Sequence, residues 1–340
     1  MPKLALKLLA ALALLAPVPA MAKEKVTLAL NWVPTADHAP YFYAKRQGWY
    51  DQAGIELTIE NGSGSAVSAQ RVGAGQSDFG IADMATALLA RGKGANLVAI
   101  MTVYANSPQG LYWLKSSGIA GPKDFAGKKL GNPAGDASRV MWPAFAKQVG
   151  IDPGAVTFVN VSPQAKVASL KSHAIDITSD FYNDHDLKLR EFGADLGFLA
   201  WRDIGINPYG NSILVNGAYL EKHRDVVKAF AQVSQKAFAA CIKDAEPCLE
   251  ALTESASGLE LSHQRNQWKS RQGTDARSDH DPCRAGRVRC GADEARLRDG
   301  RGLFQPGASI RRCQRLHQRF SRSEHQDDGG RRPVAASKKK

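Results

Sequence analysis

The stretch NWVPTADHAPYFYAKRQGWY, residues 31–50, sets one histidine and six aromatic rings among two prolines, directly after the strand-like run KVTLAL. Asn31, Trp32 and His38 fall in its proline-bounded loop, ahead of the helix that APYFYAKRQGWYDQAG predicts. A ring face placed there stacks on a flat ligand while Asn and His read the ligand's edge. His38 also fits a purely structural place, and Tyr41 or Tyr43 fits the buried face of the helix. SDFYNDHD, residues 179–186, follows a strand and offers Asp180, Tyr182 and Asn183 as hydrogen-bonding groups at its end. Its acids and His185 are adjacent rather than spaced along one helical face, and no CxxC or HxxxH accompanies them, so no metal site is expected. GNPAGDASRVMW, residues 131–142, reads as a strand, a turn and a helix start near Asp136. Helix N-termini attract anions, but Asp136 already places a carboxylate there, either as a ligand acceptor or as an ordinary N-cap. A sulfonate or phosphate is then repelled, whereas an amine or aminopyrimidine finds an acceptor. Arg139 is the one arginine placed for an anion clamp. NGSGSAVS, residues 61–68, is a tight strand-to-helix turn without the third glycine or downstream acid of a dinucleotide site. GxxxxGK[ST] and GxSxG are absent, and no cofactor and no catalytic group are expected.

These residues need elements to hold them. From residue 25 to about 260, strand-like and helix-like runs alternate, which predicts mainly parallel sheets flanked by helices. AGQSDFGIAD and KSHAIDITSD echo each other: Asp78, a short strand, then Asp83; Asp176, a short strand, then Asp180. Each strand delivers an aspartate at its carboxyl end, where open α/β sheets bind ligands. Crossings between two such units are expected near YANSPQG (104–110) and INPYGN (206–211). Lobe one then comprises 24–106 and 208–268, and lobe two 107–207, with a cleft between them that closes by hinge motion.

The first 22 residues, with Lys3, Lys7, a leucine- and alanine-rich run and Ala20-Met21-Ala22, have the pattern of a cleavable export signal. An exported, periplasmic, monomeric protein is expected. The net charge of +12 is uneven: residues 1–260 hold 25 Lys+Arg against 24 Asp+Glu, and residues 261–340 hold 20 against 9. Sixteen of the 23 arginines lie in that last segment, whose apolar residues follow neither period. Residues 269–340 are therefore expected to be a disordered tail. Two readings fit it, a natural basic tail and a changed reading frame, and a periplasmic protein has little use for nucleic acid. Cys241 and Cys248 in CIKDAEPC are too far apart in one unbroken helix for a disulfide. Pro247 breaks the helix, so a bridge and two buried thiols both remain open.

LNWVPTADHAPYFYAKRQGWYDQAGIELTI, AGQSDFGIADMATALLARGKG, GIAGPKDFAGKKLG and NPYGNSILVN, in this order, resemble the NMT1/THI5-like family, from about residue 25 to Trp268. That family comprises substrate-binding proteins of ABC importers and related synthases of the thiamine pyrimidine precursor. The resemblance implies a type II periplasmic-binding-protein fold closing on a small ligand, a hydroxymethyl- or formylaminomethyl-pyrimidine, and delivery to a membrane permease. It carries ligand contact to Asn31, Trp32, His38 and Tyr41, and further to Asp83, Asn106, Asp180 and Tyr209. Sulfonate, nitrate or riboflavin binding is the alternative within the receptor class. Synthase members use a histidine in the block matching TADHAP, the place of His38. Their cysteine-rich motif does not occur here.

Overall fold

A computed structural model of the chain describes residues 22–276. The expected export signal, save Ala22, and the basic segment beyond Ala276, with Cys283, Cys290 and Cys313, lie outside the described residues. The first unit runs through β1 (Glu24–Ala29), α1 (Ala39–Arg46), α2 (Trp49–Gln52), β2 (Ile55–Glu60), α3 (Ser65–Gly73), β3 (Phe79–Asp83), α4 (Met84–Gly92) and β4 (Leu97–Thr102). The chain then crosses to β5 (Gln109–Leu114), β6 (Lys129–Asn132), α5 (Ala137–Val149), β7 (Thr157–Asn160), α6 (Lys166–Lys171), β8 (Ile177–Phe181), α7 (His185–Phe192) and β9 (Leu196–Ala200). It returns in β10 (Asn211–Asn216) and ends in α8 (Gly217–Lys222), α9 (Arg224–Lys243), α10 (Glu246–Ser255) and α11 (Leu261–Ala276).

Two five-stranded sheets result, ordered β2-β1-β3-β10-β4 and β7-β6-β8-β5-β9. In each, four strands share one direction, and the strand delivered by a crossing, β10 or β5, is antiparallel to both neighbours. The lobes thus repeat one topology, and the paired aspartates hold matching places in it. Asp78 Oδ2 accepts the N–H of Thr27 at 2.9 Å, and Asp176 Oδ2 accepts that of Lys129 at 2.8 Å. Each pins the base of one strand to its neighbour. The second aspartate of each pair, Asp83 or Asp180, then emerges at the opposite, carboxyl end.

Alternating residues of β1, β3 and β10 (Val26, Leu28, Phe79, Ile81, Ile213, Val215) bury the core of lobe one against α1, α9 and α10. Phe79 and Phe230 stack with centroids 4.0 Å apart. The helix expected over residues 39–54 is broken at Gly48, whose φ of +66° suits glycine. The break lets Tyr50 turn inward onto Phe230 and reach Ser234 Oγ at 3.0 Å. Lobe two packs Leu111, Trp113, Leu130 and Ile177 against Phe125, Trp142 and Phe145.

Cys241 and Cys248 form a disulfide with Cα atoms 5.8 Å apart. An unbroken helix would separate them by about 10 Å. Here α9 stops at Lys243, and Pro247 stands in the first turn of α10, so the chain folds back. Residue 269, the expected start of the basic tail, lies within a helix. Helix α11 continues to Ala276, and Arg271 is buried, its guanidinium 5.2 Å from the Tyr104 ring centroid and 5.4 Å from that of Phe238. An arginine that lays its plane on aromatic rings buries surface which charge counting alone does not credit to it.

Candidate functional site

The segments that follow β1, β2 and β6, with the carboxyl end of β8, converge on a cleft of about 450 Å³ between the sheets. Its walls include Asn31, Trp32 and His38 from lobe one, and Asp136, Asp180 and Asn183 from lobe two.

The lobe-one wall is a ring of hydrogen bonds. The Thr35 N–H donates to His38 Nδ1 at 3.1 Å, so Nδ1 is unprotonated and Nε2 carries the hydrogen. Nε2 donates to Asn31 Oδ1 at 2.9 Å, and Asn31 Nδ2 donates to Asn211 Oδ1 at 3.1 Å. Asn211 Nδ2 donates to Asp37 Oδ2 at 3.1 Å, and the Thr35 hydroxyl closes the ring on Asp37 Oδ1 at 2.6 Å. His38 is 1% exposed, and burial lowers its pKa, against the smaller opposing pull of Asp37. A neutral imidazole with both nitrogens engaged holds the loop after β1 against β10. Trp32, half-buried at the loop's tip, is left to face the cleft.

The lobe-two wall is charged. Asp136 caps α5, its Oδ1 accepting the Ser138 N–H at 2.8 Å and hydroxyl at 2.6 Å. Lys166, the first residue of α6, is 2% exposed and donates to the Ser179 carbonyl at 2.7 Å. Its ammonium lies 3.4 Å from Asp136 Oδ2, 3.8 Å from Asp180 Oδ1 and 4.5 Å from the Trp32 ring centroid. It therefore reaches across from lobe two to lobe one. Lys188 pairs with Asp180 Oδ2 at 2.7 Å. Asn183 lines the cleft, and its buried side-chain oxygen has no partner among the described residues. Four carboxylates (Asp37, Asp136, Asp180, Asp184) and one cation, Lys166, thus line the cleft.

Three helices aim their N-termini between the lobes, and each is already occupied. Asp83 Oδ1 accepts the Ala85 N–H of α4 at 3.1 Å. Asp136 fills the α5 end. The α3 end meets a backbone group of the other lobe, because the Gly135 carbonyl accepts the Ala66 N–H at 3.0 Å. Helix α11 braces the back of the site: Gln267 Oε1 accepts the Ala36 N–H at 3.1 Å, and its Nε2 donates to Asp184 Oδ1 at 2.6 Å. Hydrogen bonds from His263 and Gln267 and the Lys188 charge outweigh the effect of burial on Asp184 and bring its pKa down to about 2.

Several residues expected at the site stand elsewhere. Tyr41 lies on the inward face of α1, edge-on to Phe238 at 5.4 Å, in the core of lobe one. Asn106 belongs to the crossing, where it accepts from Asn207 Nδ2 at 2.8 Å. Tyr209, 39% exposed, is also on a crossing. Tyr182 turns away from the cleft to stack on His185 at 4.9 Å. Asp83 is buried in a smaller crevice beside the main cleft. Arg139 is no anion clamp: it donates to Asn132, Asn160 and the Val159 carbonyl and covers Phe158. The cation of the site is Lys166, a single lysine at the head of a helix that no motif in the sequence marks. Among the described residues no cluster of three or more His, Cys, Asp or Glu is arranged to hold a metal, and no helix is long and apolar enough to cross a membrane.

The chain is similar to known proteins. A 4-amino-5-hydroxymethyl-2-methylpyrimidine phosphate synthase of Legionella pneumophila is 27% identical over 240 residues, 70% of this chain and 75% of that protein. The formylaminopyrimidine-binding protein of Halalkalibacterium halodurans is 21% identical over 232 residues, 68% and 70% of the two chains. The chain spans only 41% of the length of the yeast synthases that it matches. The alkanesulfonate-binding protein SsuA of Xanthomonas axonopodis pv. citri superposes with a TM-score of 0.60 at 15% identity, covering 73% of this chain and 85% of that one, which marks the fold as that of the type II periplasmic binding proteins. The NMT1/THI5 like family pattern runs from residue 35 to residue 247, well over half of the chain, and the protein is a member of that family.

Proposed function

We propose that the protein is the soluble receptor of an ABC importer. It captures a small, donor-bearing heteroaromatic, an aminopyrimidine of the thiamine-precursor type, by closing its lobes, and presents the closed form to a membrane permease. The observation that carries this reading is the pairing of Trp32 on one wall with carboxylates and the unpartnered Asn183 oxygen on the other. A flat ring stacks on the indole while its amino groups meet acceptors. The excess of carboxylates and the three filled helix ends disfavour sulfonate and nitrate. The formylaminopyrimidine-binding relative supports the ligand class.

The synthase relatives favour a second reading, in which His38 is consumed. Both ring nitrogens of His38 are engaged inside the fold, which fits a positioning role instead. Calorimetry with 4-amino-5-hydroxymethyl-2-methylpyrimidine, an alkanesulfonate and nitrate tests the proposal: binding of the pyrimidine alone is expected. Mass spectrometry after incubation with pyridoxal phosphate and ferrous iron tests the rival. A mass loss localised to His38 would replace the receptor with an enzyme.

A further inference from the structure

The aromatic face offered to the ligand already carries a charge. The Lys166 ammonium stands over the Trp32 ring, 4.5 Å from its centroid, and Asp136 Oδ2 and Asp180 Oδ1 flank it at 3.4 and 3.8 Å. An indole face closed in by two carboxylates is a seat for a cation, and the chain's own lysine fills it. At 2% exposure, with a further bond of 2.7 Å to the Ser179 carbonyl, the ammonium is held there rather than in solvent. A ring that stacks on this face must move the ammonium aside.

The charge of the incoming ring decides what that exchange costs. Asp180 keeps Lys188 at 2.7 Å, but Asp136 loses its ion-pair partner. A neutral ring would leave the Asp136 carboxylate buried and uncompensated, which is strongly unfavourable. The other titratable groups of the cleft supply no positive charge. Asp37 and Asp184 add two carboxylates, and Asp184, with its pKa near 2, stays ionised. His38 has both nitrogens bonded inside the fold and a pKa lowered by burial, so it stays neutral. A 4-aminopyrimidine takes up a proton on a ring nitrogen near neutral pH, and the amino group spreads the charge over the ring. Such a ring stacks on an indole as a cation and offers charged N–H donors to the acids. We infer that the cleft takes its heteroaromatic ligand in the protonated, cationic form, in the place that the Lys166 ammonium holds in this structure. This rests on the pyrimidine reading of the cleft. Lys166 is then a stand-in for the ligand: it keeps the acids paired in the free receptor and turns to solvent, with its proton, when the charged ring arrives.

Calorimetry of the full chain with 4-amino-5-hydroxymethyl-2-methylpyrimidine, in buffers of different protonation enthalpy, counts the protons bound with the ligand. At about pH 8.5, where the free pyrimidine is neutral, uptake should approach one proton, and affinity should fall about tenfold per further pH unit. At about pH 5.5 the uptake should vanish. The ultraviolet spectrum of the bound ring, which changes on protonation, places the proton on the ligand rather than on a carboxylate. Lys166→Met removes the competing ammonium and leaves the acids to the ligand, so it should bind the pyrimidine at least about tenfold more tightly than the wild type. If that variant does not fold, the proton count and the spectrum of the wild-type complex decide. A pH-independent affinity without proton uptake, a bound ring with the spectrum of its neutral form, or a folded Lys166→Met that binds no more tightly would each overturn the inference and leave the pyrimidine reading intact. If the pyrimidine binds the wild type at neither pH, that reading falls and the inference with it.

Discussion

The carbonyl of Gly135 accepts the Ala66 N–H at 3.0 Å, so the lobes meet backbone to backbone. The approach leaves no room for side chains. A Cβ on Gly64 would stand 2.1 Å from the Gly135 oxygen, and one on Gly135 would stand 2.6 Å from Val67 Cγ2. Gly64 also has a φ of +139°, which glycine alone adopts without strain. Gly135 has no such backbone demand, so its lack of a side chain serves the contact between lobes. Gly135→Val should therefore hinder closure without unfolding either lobe. The expected result is an unchanged melting temperature without ligand, a larger radius of gyration by solution scattering, and ligand affinity lower by about tenfold or more. An unchanged affinity would mean that ligand is held without this contact.

Trp32 faces the cleft with its ring unsupported by the lobe-one core, so its removal acts on binding more than on folding. Trp32→Ala should weaken pyrimidine binding by about 1–3 kcal/mol, the contribution of one stacking ring with its apolar contacts. Calorimetry that returns the wild-type affinity would take Trp32 out of the site.

Lys166 neutralises two carboxylates that approach it from β8 and the head of α5. With the ammonium gone, Asp136 loses its ion-pair partner, while Asp180 keeps Lys188. Lys166→Met should destabilise the protein by about 3 kcal/mol, the cost of stripping one partner from a buried ion pair. Chemical denaturation measures this. A loss below about 1 kcal/mol would show that water compensates the acids instead.

The bridge between Cys241 and Cys248 closes a short loop at the bend from α9 to α10. Loop-closure entropy for so few residues amounts to about 2 kcal/mol. Both sulfurs are buried beside Leu249 and Leu252. Replacing both cysteines with alanine should lower stability by about 2–4 kcal/mol, cross-link and packing combined, and reductant should then no longer change the melt. A melt of the native chain that ignores reductant under denaturing conditions would contradict a contribution from the bridge.

Most of the architecture was legible because its signals are periodic. The alternation of strand and helix, the echo of Asp78–Asp83 in Asp176–Asp180, and the proline-rich crossings led to two lobes with ligand groups at strand ends. Tyr41 was misplaced because family position carries no information about which way a helix face turns. Lys166 was missed for a different reason. Ser65 and Lys166 are the first residues of the helices that follow β2 and β7, the matching edge strands of the two sheets, and both line the cleft. Carrying the internal repeat one element further would have picked out Lys166. Asp37, Gln109 and Asp184 have no such counterpart signal, since only tertiary closure brings a short turn, a crossing strand and the α11 contact together.

Asp83 makes stability depend on pH in an unusual direction. Burial, with a smaller push from Asp136, raises its pKa to about 7, against the pull of the Ala85 and Thr86 amides. In the unfolded chain the same carboxyl ionises near 4. Between those values the native state holds a proton that the unfolded state releases, so the contribution of Asp83 is fully present below about pH 4. It is lost as the pH rises toward 7. Asp83→Asn cannot titrate, yet it keeps an N-cap acceptor. The difference in unfolding free energy between wild type and Asp83→Asn should therefore shift against the wild type by up to about 4 kcal/mol from pH 4 to pH 7.5. Urea denaturation of both proteins across that range measures it. Parallel stability curves would mean that Asp83 is already ionised in the native state at pH 4, with water or a lobe motion solvating its free oxygen.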